Sequence, residues 1–145
     1  MPGRAAPLQG TWDAVDQEGI EAIVCLAAPE EIRAAAPTYA AALEARATPC
    51  AVEPFPIRDF GVPGDREAFW ALAARVSRRL AGGGRVLVHC GAGVGRTGTL
   101  AVCVLLALGE PLARARETVA SAGSHAETAA QEALVAWCAA RASAP

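Results

Sequence analysis

The sequence predicts an α/β fold: a small, mainly parallel sheet of about four strands flanked by helices, with a glycine-rich loop between a central strand and a helix. Three observations carry this expectation. Short apolar runs rich in β-branched residues alternate with longer helical patterns. A chain of 145 residues is the size of one domain, so residues 1–145 read as a single unit with a real core. The composition, 53% hydrophobic and 19% charged, suits a globular chain rather than a disordered one.

In chain order, Ile20 to Ala28 (IEAIVCLAA) is a short apolar run with β-branched residues and reads as a buried strand. Pro29-Glu30-Glu31 then opens a helix, with proline in the first turn and acids near the positive end of the dipole. This helical stretch runs toward Arg46, with a break or restart at Pro37. Pro49 to Ile57 (PCAVEPFPI) is extended, and its prolines confine it to an edge strand or a loop. Asp59 to Pro63 (DFGVP) is a loop. Asp65 caps a helix from Arg66 to Leu80, whose Phe69, Leu72, Val76 and Leu80 recur at helical spacing. Gly82-Gly83-Gly84 ends it. Arg85 to His89 (RVLVH) is a continuous apolar strand of the kind buried on both faces. It leads into CGAGVGRTG and an apolar helix, Thr97 to Leu108. Two helices follow, Leu112 to Ser121 and Glu127 to Arg141, parted by Ala122-Gly123-Ser124.

Charge excludes several classes of function. The net charge is −2, and all positive charge is arginine, scattered along the chain. That argues against a nucleic-acid or acidic-membrane footprint. Thr99 to Leu108, the longest apolar run, is too short to span a bilayer. No secretory h-region follows Met1, so a cytoplasmic location is expected. The five cysteines are odd in number and lack C-x-x-C spacing, which fits a reducing compartment. With only His89 and His125 available, no metal site is expected. Cys25, Cys50, Cys103 and Cys138 read as structural, with a disulfide from one of them to Cys90 as the alternative.

The chemistry concentrates in one loop. Cys90 and Arg96 are separated by Gly91, Ala92, Gly93, Val94 and Gly95. Small residues let the backbone curl with its N–H groups inward, and the following helix aims its N-terminus at the same point. The result is an anion cradle. Arg96 adds a planar two-pronged grip on phosphate oxygens. The same field stabilises a thiolate, which lowers such cysteine pKa values to roughly 3.5–7.5 and makes Cys90 a ready nucleophile. The Thr97 hydroxyl is placed to hydrogen-bond that thiolate, and His89 to orient the loop through backbone carbonyls. A leaving oxygen also needs a proton. Of four aspartates, Asp59 alone lies in a Gly/Pro-punctuated loop that one helix and one strand can return to the same sheet edge.

His89-Cys90-(five residues)-Arg96-Thr97-Gly98 resembles the signature loop of the protein tyrosine and dual-specificity phosphatase superfamily. Asp59-Phe60-Gly61-Val62-Pro63 resembles that family's general-acid loop, and Glu127-Thr128-Ala129-Ala130-Gln131 resembles the E-T-x-x-Q stretch of its compact bacterial and archaeal members. The resemblance spans residues 20–140 and implies a phosphocysteine intermediate on Cys90. It also implies phosphate held by Arg96 and the amides of Gly91 to Arg96, Asp59 as general acid and base, and Gln131 beside the hydrolytic water. Three features depart from the family pattern. Arg58 stands where relatives usually have proline, Ala122-Gly123 replaces an Arg-Pro, and the first strand of many relatives has no clear counterpart.

Rival readings fit less well. Gly93-x-Gly95-x-x-Gly98 matches a dinucleotide fingerprint, but helices follow where a second strand is required. A Walker A loop needs lysine at Arg96. A sulfurtransferase loop does not call for Arg96-Thr97-Gly98 opening a helix. A phosphate- or phosphopeptide-binding module with little turnover is the alternative from another class. The expected substrate is a phosphotyrosine-bearing protein or peptide, with phosphoserine or phosphothreonine second. Ala92, Gly93 and Val94 carry no cation, which disfavours an inositol lipid. A monomer is expected, with no cofactor, nucleic acid or membrane partner.

Overall fold

The computed structural model describes residues 1–143. The elements run α1 (Leu8–Gln17), β1 (Ala22–Cys25), α2 (Pro29–Ala35), α3 (Pro37–Glu44), β2 (Ala51–Pro54), α4 (Arg66–Ala81), β3 (Val86–His89), α5 (Gly95–Ala107), α6 (Leu112–Ser121) and α7 (Ala129–Ala142). The fold class is the expected one. The described residues form a three-stranded parallel sheet in the order β2-β1-β3.

Two expectations about the sheet need correction. It has three strands rather than about four, because the N-terminal segment folds as α1 and only helices follow β3. The strand that feeds the cysteine loop is also not central. β1 holds the middle, and β3 is an edge strand whose Val86, Leu87 and Val88 are half-buried. A continuous apolar run can sit at an edge when helices cover both its faces, so periodicity alone does not rank strands.

Alternation along β1 divides the core. Val24 and Leu26 face one side, where they join Phe69, Leu72, Val76, Leu100, Cys103, Val135 and Cys138 from α4, α5 and α7. Cys25 and Ala27 face the other, against Ile32, Ala36, Tyr39 and Ala40, with Leu8 and Trp12 of α1 packed beside them. Phe69 and Leu72 are fully buried, and each such side chain stabilises the fold by about 1.5–3 kcal/mol. Asp65 caps α4, accepting a hydrogen bond from the Ala68 amide at 3.0 Å. Pro37 breaks the α2–α3 stretch at the expected place. All five cysteines are free. No described helix is long and apolar enough to cross a membrane.

Candidate active site

In parallel sheets, functional groups gather beyond the carboxyl ends of the strands. Here three strand ends deliver three segments to one place. β1 leads to Glu31 on α2, β2 leads through Ile57 to Asp59, and β3 leads to Cys90. Main-chain bonds tie these exits together. The Leu26 amide donates to the His89 carbonyl (2.8 Å), and the Ile57 amide donates to the Leu26 carbonyl (2.9 Å).

The loop after β3 curls as its composition requires. Gly93 takes φ 83°, which a side chain rarely tolerates, and its amide points at Cys90 Sγ (3.2 Å). No side chain caps α5, so its first amides stay open toward the loop. Burial alone pushes the Cys90 thiol up, since Cys90 is only 2% exposed. The Thr97 hydroxyl and amide, the Gly93 amide and the Arg96 charge outweigh it, and the thiol sits below the ordinary cysteine range. Thr97 Oγ1 is itself buried and makes no hydrogen bond of normal geometry, which leaves its proton free for the sulfur.

Behind the loop, His89 Nδ1 lies 3.2 Å from the Cys90 carbonyl, and its Nε2 lies 2.9 Å from the hydroxyl of fully buried Tyr39. A carbonyl only accepts, so Nδ1 carries the proton and Tyr39 donates to Nε2. Burial lowers the His89 pKa to about 4, which keeps the ring neutral. Ser124 Oγ donates to the Gly93 carbonyl at 2.6 Å and holds the outer side of the loop.

Arg96 is the hub. Its side chain is 2% exposed. One terminal nitrogen donates to Glu31 Oε2 (2.7 Å) and the Ile57 carbonyl (2.9 Å). The other donates to Glu31 Oε1 (2.9 Å) and Asp59 Oδ1 (2.7 Å). The bidentate bond from Arg96 holds the Glu31 carboxyl below the usual carboxylate range. Asp59 is 61% exposed and open to incoming groups. A hollow of about 510 Å³ opens between Ala28, Glu30, Glu31, Pro56, Arg58 and Asp59. A larger groove of about 660 Å³, between α2, α3 and β2, does not include Cys90 or Arg96.

The structure thus brings Cys90, Arg96, Thr97 and Asp59 together with the loop of Gly91, Ala92, Gly93, Val94 and Gly95. Gln131 is not hydrogen-bonded to the sulfur, although its Oε1 lies beside Gly95 of the cysteine loop. It is buried at the start of α7, and its amide reaches the Gly61 carbonyl of the 59–63 loop at 3.1 Å.

A family model for the DSP-PTPase phosphatase of polymorphic toxin systems matches residues 1–110. The chain belongs to this family. Solved structures carry the same fold. Tk-PTP in its active form is similar at TM-score 0.74 and 27% identity, over 94% of this chain and 88% of that one. Kinase associated phosphatase, with its catalytic-site cysteine replaced by serine, reaches TM-score 0.81 at 19% identity, over 100% of this chain and 85% of that one. PTPMT1 in complex with PI(5)P reaches TM-score 0.74 at 17% identity, over 92% of this chain and 85% of that one. No curated protein matches the sequence.

In this DSP-PTPase, sequence reasoning missed Glu31 and Tyr39. Glu31 reads locally as a first-turn acid on α2. Its position just past the carboxyl end of β1, on the same sheet edge as the cysteine loop, is the signal that marks it. Tyr39 carries no such signal, because a tyrosine on a helix face reads as core.

Proposed function

We propose that this phosphatase hydrolyses phosphate monoesters through a phosphocysteine on Cys90. The reading rests on the convergence of a lowered-pKa thiol, a buried arginine and a carboxylate 2.7 Å from that arginine, all at one sheet edge. Arg96 and the amides of Gly91 to Arg96 hold three phosphate oxygens. The Cys90 thiolate attacks phosphorus and the ester P–O bond breaks. Its electron pair leaves with the oxygen, which takes a proton from Asp59. An incoming phosphate displaces Asp59 from the second terminal nitrogen of Arg96, and the freed carboxylate takes up a proton from solvent before it meets the leaving oxygen. In the second half, Asp59 takes a proton from water as that water attacks phosphorus. Inorganic phosphate and the thiolate are released.

Phosphotyrosine in a protein or peptide is the favoured substrate. Cys90 is 2% exposed, and a phosphate on an aryl stem reaches deeper than one on serine. Phe60, 61% exposed, and Val62 give an apolar rim beside Asp59 for that ring. Glu30 and Glu31 border the hollow, which disfavours headgroups with several phosphates.

Hydrolysis of an aryl phosphate in EDTA tests the reading. Wild type turns over, Cys90→Ser does not, and Asp59→Asn falls by about 10²–10⁴. Turnover retained in Cys90→Ser would overturn the nucleophile, and wild-type turnover in Asp59→Asn would overturn the acid.

A further inference from the structure

The acid loop is suspended at both ends from groups outside it. At one end, Arg96 donates to the Ile57 carbonyl at 2.9 Å. At the other, Gln131 Nε2 donates to the Gly61 carbonyl at 3.1 Å. Between them the loop is a tight, strained turn. The Gly61 amide donates to the Arg58 carbonyl (2.8 Å), the Phe60 amide donates to Asp59 Oδ1 (3.1 Å), and Phe60 takes φ 56°. An aromatic residue in the left-handed region needs support from its surroundings. Apart from Asp59's bond to Arg96, the side chains at this tip are solvent-facing: Asp59, Phe60 and Val62 are all exposed.

Gln131 is built to give that support. It is 1% exposed, and its own amide is fixed by the Thr128 hydroxyl (3.2 Å) that caps α7. Its side-chain orientation is unambiguous. Oε1 accepts from the Glu127 amide at 2.8 Å, and an amide N–H can only donate. Nε2 therefore faces Gly61, whose carbonyl can only accept. Both ends of the side chain are engaged with backbone, one on α7's own approach and one on the acid loop.

We propose that Gln131 is a positioning residue that latches the acid loop, rather than a group that holds the hydrolytic water. This rests on the phosphatase reading above and refines it. Through Gly61, Gln131 fixes the far end of the turn that presents Asp59, while Arg96 fixes the near end. Release of the latch lets the turn relax and withdraws the proton donor. Asp59 serves both half-reactions; the part of the defect that falls on the first, where the leaving oxygen must be protonated, lowers kcat/KM and grows as the leaving group becomes more basic.

Gln131→Met keeps the buried volume and removes both bonds, with Gln131→Ala as a second variant. Hydrogen–deuterium exchange of residues 58–64 and rapid-quench kinetics are measured on both variants and on wild type. The latch predicts faster exchange across 58–64. It also predicts about a tenfold loss of kcat/KM on phenyl phosphate, the loss of one buried hydrogen bond, and a much smaller loss on an aryl phosphate with a strongly acidic phenol. Unchanged exchange at 58–64 overturns the latch. So does a kcat/KM on phenyl phosphate equal to wild type with slowed phosphate release, which assigns Gln131 to the water alone. A wild type inert on both esters, with exchange still faster in the variants, defeats the hydrolase reading and leaves the latch standing.

Discussion

At the residue scale, the site is a set of buried polar groups whose partners decide their charge. Arg96 stays ionised at 2% exposure because Glu31 and Asp59 face it, and Glu31 stays ionised because Arg96 grips it twice. His89 shows the opposite outcome. It has no carboxylate partner, only the Tyr39 hydroxyl and the Cys90 carbonyl, so burial wins and its pKa drops to about 4. The consequence for stability has a definite sign. The folded pKa lies below the ordinary value of 6.5, so the unfolded chain binds this proton first as pH falls. The stabilisation is complete above pH 6.5 and is lost progressively toward pH 4, amounting to about 3 kcal/mol. Urea unfolding between pH 7 and pH 5 should show this decline in wild type and a flatter profile in His89→Asn. A wild-type profile already flat in that window would contradict the neutral, buried histidine.

At the scale of elements, glycines mark where α5 and its loop meet their neighbours. Gly98 lies on α5 against the backbone of His125, and any Cβ there would collide with main chain that cannot swing away. Gly10, inside α1, faces open space. Gly98→Ala should therefore destabilise by about 1–3 kcal/mol, through overpacking. Gly10→Ala should be neutral or stabilising by about 0.5–1 kcal/mol, through helix propensity. Equal effects at the two positions in denaturant melts would contradict the packing of α5 on the 122–128 segment.

The same elements show what the sequence could and could not reveal. The cysteine loop, the loop at 59–63, the Asp65 cap and the break at Pro37 are legible because each rests on local chemistry: small residues, turn residues, a capping carboxylate, a fixed φ. Helix α1 escaped notice because LQGTWDAVDQ carries a glycine and no acid in its first turn, and only Val15 of it is buried. The Glu31 and Gln131 contacts escaped because they join residues 65 and 70 positions apart, and no local pattern encodes such pairs. The edge position of β3 was hidden for a related reason, since strand order is decided by crossovers rather than by any strand's own residues.

At the scale of the whole molecule, a three-stranded parallel sheet suffices because each strand delivers one functional segment. β1 brings the carboxylate that holds Arg96, β2 brings the loop of Asp59, and β3 brings the cysteine and the arginine. Helices α4 to α7 form one side of the core and support α5 and the latch, while α1 to α3 form the other and carry Glu31 and Tyr39. In the proposed reaction phosphate passes through the Cys90 sulfur. The direct test is to mix the protein with an aryl phosphate, quench in acid during turnover, digest, and locate covalent phosphate by mass spectrometry. Phosphate is expected on the peptide that contains Cys90, and none in Cys90→Ser. Continued phosphate release with Cys90 unmodified, or with the label on another residue, would contradict it.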